Sequence, residues 1–188
     1  MYIINKILPN EKLTMFNSLK FILFSIIIHG CSLVKHEPIP LVKYVDLDKF
    51  MGAWYVIAHI PSYPEKNAFN AVETYKLNEN GTIKTTFTFN EGSFTGRFRT
   101  LNPTGFIIDN QSNAIWGMQF IWPIKADYRI TYLDDSYTQT IIAREKRDYV
   151  WIMARQPEIS LIEYERLVNF VESLGYEKSK IRKVPHNN

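Results

Sequence analysis

The sequence holds a single cysteine among 188 residues. An intramolecular disulfide is therefore excluded, and so is a thiolate-rich metal site. The four histidines, His29, His36, His59 and His186, are scattered with no H-x-x-x-H or H-E-x-x-H spacing, so no metal centre is expected. His59 is read as a surface or barrel-mouth residue. No G-x-S-x-G elbow and no G-x-G-x-x-G loop occurs. The acidic residues are spread through turns and a polar helix face, and Asp134-Asp135 reads as a solvated turn. The chain is expected to be no enzyme and to need no cofactor.

Charge of one sign is lacking too. The formal net charge is +3, with 22 basic and 19 acidic residues. Three lysines (Lys6, Lys12, Lys20) and one glutamate (Glu11) precede Cys31, so the remainder carries only +1. A nearly neutral domain offers no electrostatic case for nucleic acid. A membrane-spanning run of about 20 apolar residues is also missing.

What the N-terminus does have is a short apolar run, FILFSIII, at 21–28. Its length fits the core of a secretory signal, with Lys20 as the positive flank. Ile28-His29-Gly30-Cys31 resembles a lipobox, the motif read by bacterial lipoprotein processing enzymes. That resemblance implies cleavage before Cys31 and acylation of Cys31. His29 departs from the small residue usual at its place. The stretch before Lys20 is long for a signal, and translation is expected to start at Met15. Residues 1–30 are thus expected to be a signal peptide. Residues 31–43, with Pro38 and Pro40, would form the lipidated N-terminus and its tether. Residues 44–188 would form one domain. Ser32 after Cys31 resembles the outer-membrane sorting signal.

The sequence is rich in residues that favour pleated surfaces, 14% of the whole being aromatic. Eight strand-like runs follow one another, at 52–60, 68–77, 82–89, 93–101, 114–121, 127–133, 137–143 and 148–155. The clearest alternation puts Ile83, Thr85, Phe87 and Phe89 on one face. Asn80-Gly81 suits a hairpin, and Asn102-Pro103-Thr104-Gly105 reads as a turn. From Ser160 the spacing changes to that of an amphipathic helix, with a Ser160/Glu163 capping box and Gly175 as terminator. A last short strand is expected at 180–184. Eight short strands with tight turns can close into an up-and-down antiparallel barrel, all-β but for one C-terminal helix packed outside it.

Motifs narrow this to one family. Gly52-Ala53-Trp54, in a run from Asp46 to Ala58, resembles the first lipocalin signature. Leu133 to Tyr137 resembles the second, and Asp148 to Arg155 the third. Phe120-Ile121-Trp122-Pro123 and Arg155-Gln156-Pro157 are similar to the bacterial outer-membrane lipocalins. The resemblance implies an eight-stranded barrel. It gives Gly52, Trp54 and Arg155 structural roles at its closed end, with Arg155 over Trp54. It implies a fatty acid, lysophospholipid or similar amphiphile as ligand, bound, stored or transported at the outer membrane. The chain would face the periplasm from the acylated Cys31 and is compatible with a homodimer. Two alternatives are a lipid-acting enzyme and an anchored interaction module with a solid barrel. With Trp54 setting the inward phase, Val56 and Ala58 are expected to line a cavity with Phe87, Phe89, Tyr128 and Ile130.

Overall fold

The computed structural model describes residues 37–187. The chain begins with an extended stretch and a single helical turn, α1 (Leu47–Phe50). Asp46 caps that turn by accepting from the Lys49 backbone N–H. Nine strands follow: β1 (Gly52–Ile60), β2 (Ala68–Leu77), β3 (Ile83–Glu91), β4 (Arg97–Leu101), β5 (Thr104–Ile107), β6 (Ile115–Ile121), β7 (Ile124–Leu133), β8 (Gln139–Ala143) and β9 (Val150–Ala154). Helix α2 (Leu161–Ser173) and a two-residue strand β10 (Arg182–Lys183) complete the chain.

Every strand pairing is antiparallel, and β1 pairs with β9 as well as with β2, so the sheet closes on itself. Closure removes the end edges of the sheet, and among the described strands β4 alone of the barrel strands pairs on one side only, with β3. β4 and β5 both pair with β3 and together make one interrupted barrel strand, which brings the number of barrel positions to eight. The expected turn at 102–105 is only this short break. Pro103 cannot donate to the ladder. Its carbonyl still accepts from the Thr85 N–H at 3.2 Å, so pairing resumes at once in β5.

The eight-stranded barrel with one main external helix is the expected architecture. β1 and β2 occupy the expected residues. β7 begins three residues before its expected start, because Ile121 pairs with Ile124 across the Trp122-Pro123 tip. The capping box forms as read, with Ser160 accepting from the Glu163 N–H and the Glu163 carboxylate accepting from Ser160. Gly175 ends α2 at φ +92°, a conformation that costs other residues dearly.

Two apolar clusters share the barrel wall. The inner one includes Trp54, Val56, Phe87 and Tyr128. The outer one joins Ile57, Ile141 and Ile152 to Leu167, Val168 and Val171 of α2. The segment before α1 also packs: Ile39 and Val45 are buried, and the Val42 N–H donates to the Ile130 carbonyl. The tether expected up to residue 43 is therefore seated on the barrel from Ile39 onward, because Ile39 and Val45 bury apolar surface there. Residues 1–30 and Cys31 lie outside the described residues.

Candidate functional site

Strand direction gives the barrel two different ends. β1 starts at one end beside α1, and the turns 78–82, 108–114 and 134–138 lie there with it. The loops 61–67, 92–96, 122–123 and 144–149 lie at the other.

The first end is closed. Trp54 is fully buried, and its indole N–H donates to the Phe50 carbonyl at 2.9 Å. The Arg155 guanidinium sits 3.8 Å above the Trp54 ring. It also donates to the carbonyls of Ala53 (2.7 Å), Lys49 (2.8 Å), Met51 (2.9 Å) and Phe50 (3.1 Å). One planar fork thus ties α1 and the start of β1 to the end of β9. Gly52 adopts φ +94°, and a Cβ there would lie 3.4 Å from Arg155 Nη1. Above this plug Phe50, Tyr75, Trp116 and Tyr128 pack ring to ring, with Trp116 stacked on Tyr128 at 5.0 Å. The hydroxyls of Tyr75 and Tyr128 share a 2.7 Å hydrogen bond. These rings fill the closed half.

The open half is hollow. A cavity of about 240 Å³ is walled by Phe87, Leu101, Met118, Ala126, Tyr128 and Trp151. Phe120, Ser62, Pro64, Arg144, Asp127 and Tyr149 stand round its upper part. The wall is mostly apolar, which suits a ligand held chiefly by burial of its carbon surface.

Of the residues expected to line it, Phe87 and Tyr128 do so. Val56, Phe89 and Ile130 belong to the inner cluster without facing the hollow. Ala58 requires a correction. The β1–β9 register shifts between Val56 and Ala58, so Ile57 and Ala58 both face the outer cluster. A bulge of this kind inverts the phase of everything after it. It also turns His59 inward: the residue is fully buried, beside Glu65 of the open-end loop, and the surface reading is corrected. Trp122 is exposed at the rim, and Tyr132 packs outside against Phe170.

Two carboxylates reach the cavity wall, and neither was expected there. Glu65 caps the turn after β1: it accepts from the Ser62 N–H (3.0 Å) and hydroxyl (2.7 Å) and from the Trp151 indole N–H (3.0 Å). His59 Nδ1 lies 3.5 Å from it. Burial pushes the Glu65 carboxyl up, but His59, Ser62 and Trp151 together outweigh this and hold it below the usual range. Glu73 stands in β2 between inward-facing Ala71 and Tyr75. Among the described residues no cation pairs with it. Burial lifts its carboxyl to about 7, Tyr75 draws it down in part, and the Glu65 charge raises it further. Alternation along β2 would have shown Glu73 on the Tyr75 face. Among the described residues no three His, Cys, Asp or Glu side chains gather to hold a metal.

The geometry can be set beside known proteins. The family model described as Lipocalin-like domain matches residues 45–186. Temperature-induced lipocalin-1 of Arabidopsis thaliana is 29% identical over 164 residues, covering 82% of this chain and 87% of that one. Outer membrane lipoprotein Blc of Citrobacter freundii is 25% identical over 145 residues, covering 76% and 80%. Among solved structures, insecticyanin from the tobacco hornworm Manduca sexta superposes with a TM-score of 0.64 at 15% identity, covering 82% and 87%. The cockroach allergen Per a 4 gives 0.61 at 18%, covering 81% and 96%. These structures share the fold. With the signature residues assembled at one end of a closed barrel and the family model spanning most of the chain, this protein belongs to the lipocalin family, whose members bind small hydrophobic ligands.

Proposed function

We propose that this lipocalin binds and carries a single-chain amphiphile, a fatty acid, lysophospholipid or similar molecule, at an outer membrane. The observation that carries this reading is the apolar hollow of about 240 Å³ in the open half of the barrel, with polar side chains at its upper part. Its volume lies just below the roughly 300–1,000 Å³ of drug-sized pockets, which favours one acyl tail over two. The tail would lie against Phe87, Met118 and Leu101. The head group would remain near Ser62, Arg144 and Tyr149. Acylation of Cys31 would hold the barrel at the membrane that supplies such ligands, and the similarity to outer membrane lipoproteins supports the location.

Titration with fluorescent fatty acids and lysophospholipids tests the reading. Saturable binding of one ligand per barrel at micromolar concentration is the expected result. Absence of saturable binding by every single-chain lipid tried would overturn it.

A further inference from the structure

The rim of the barrel carries apolar side chains that no part of the described chain covers. Ile121, Trp122 and Ile124 at the β6–β7 tip are 73%, 82% and 70% exposed. Phe120 precedes them, and Tyr63 in the 61–67 loop and Phe98 in β4 stand exposed at the same end. An exposed aromatic and aliphatic group of this extent marks an interaction surface.

The charges around it point to the partner. At this end Glu91 pairs with Arg99, Asp148 with Arg144, and Asp127 and Glu145 share Arg129, while Glu65 is buried beside His59 and Glu37 forms no ion pair among the described residues. Lys66, Arg97, Lys125 and Lys146 are exposed there and form no ion pair among the described residues. With Arg147 these cations outnumber the acids left over, Glu37, Glu65 and one of the two that share Arg129, so the net charge of the rim is cationic and complements anionic lipid head groups. A tryptophan at an apolar tip with lysine beside it is also the composition favoured at a membrane interface.

The path of the chain gives a second line of support. The Glu37 carbonyl accepts from Arg147 Nη2 at 2.5 Å, and the Ile39 N–H donates to Glu145 at 3.4 Å. Both partners lie in the 144–149 loop of the open end. The chain then runs to the closed end, where the Val45 N–H donates to the Ser112 carbonyl. Cys31 precedes Glu37 by six residues, a reach of about 20 Å at most. An acyl group there would anchor the barrel from the side of its open end, a line of support that rests on the proposed acylation.

We propose that the open rim docks on an anionic bilayer surface, with the Phe120–Ile124 tip seated in the interface and the cavity facing the lipid. A ligand would then pass between bilayer and barrel without crossing water.

The test uses the full chain with vesicles of equimolar phosphatidylcholine and phosphatidylglycerol carrying brominated acyl chains. Bromine quenches tryptophan on contact. Trp54 and Trp116 are fully buried inside the barrel, while Trp151 lines the cavity and would be quenched by a bound brominated ligand, so the measurement is made in a Trp151→Phe background where Trp122 is the exposed reporter. Trp122→Phe should abolish most of it, added salt should weaken it, and Ile121→Asp should reduce it while leaving the melting temperature unchanged. Unquenched Trp122 in vesicle-bound protein would overturn the docking. So would failure of the chain to sediment with vesicles. So would a lipid-free dimer that Ile121→Asp dissociates, since the rim would then cover a second copy. Palmitate labelling of Cys31 separates the two readings. Label without quenching sinks the docking alone, and quenching without label sinks the anchor alone.

Discussion

The Arg155 guanidinium lies 3.8 Å above the Trp54 ring while donating to four of the five carbonyls from Lys49 to Ala53. Only Gly52 is skipped, the residue that passes beneath it at positive φ. One side chain thus seals the closed end through stacking and hydrogen bonds together. Trp54→Ala should cost about 3–5 kcal/mol, the usual figure for a buried large aromatic. Arg155→Lys keeps the charge but loses the fork, and should cost about 1–3 kcal/mol. Denaturant unfolding measures both. Midpoints unchanged from wild type would remove this pair from the account of stability.

Glu73 makes stability depend on pH in an unusual direction. Its folded-state value of about 7 lies above the ordinary carboxylate value, so the folded chain keeps a proton that the unfolded chain has released. Stability contributed by this group is therefore full in acid and falls as the pH rises to about 7. Glu73→Gln removes the dependence. The variant should gain on the order of 1–3 kcal/mol at pH 8 and almost nothing at pH 4. Urea unfolding at the two pH values decides, and equal gains at both would contradict the assignment.

The same carboxyl should tune ligand binding. Glu65 is held low and Tyr75 and Tyr128 are pushed high by burial, so these three keep their charge state across neutral pH. An ionised Glu73 makes the wall less hospitable to an apolar tail. A neutral monoacylglycerol should bind more weakly at pH 8 than at pH 6. Glu73→Gln should flatten that difference. A slope identical in wild type and variant would place the titrating group elsewhere.

How far these features could be read from the sequence depended on their regularity. The alternation of β3 and the capping box of α2 are local and uninterrupted, so their residues fall where periodicity puts them. Ala58 was placed inside by the same rule, and the bulge after Val56 reversed it. A bulge is a response to neighbouring strands and leaves no mark in composition. Pro103 signalled a break in the ladder, but the break is one of two residues and β5 resumes beside β3. The hollow itself could not be foreseen from aromatic content. Tyr75, Trp116 and Tyr128 fill the closed half, while Ala126 and Leu101 leave room above them.

Cys31 is the test of the anchor. Cys31→Ser cannot form a thioether, so labelled palmitate fed to producing cells should be lost from the protein. The barrel should still fold, because the described domain closes without that residue. Equal label in wild type and Cys31→Ser would refute acylation at this position.

The central claim is that the open half of the barrel holds the ligand, and native mass spectrometry of the detergent-free protein tests it most directly. Wild type should carry one added mass corresponding to a single-chain amphiphile. Ala126→Trp, which fills the hollow from its wall, should fold to a closed barrel and carry none. Retention of the same lipid by folded Ala126→Trp would contradict the account.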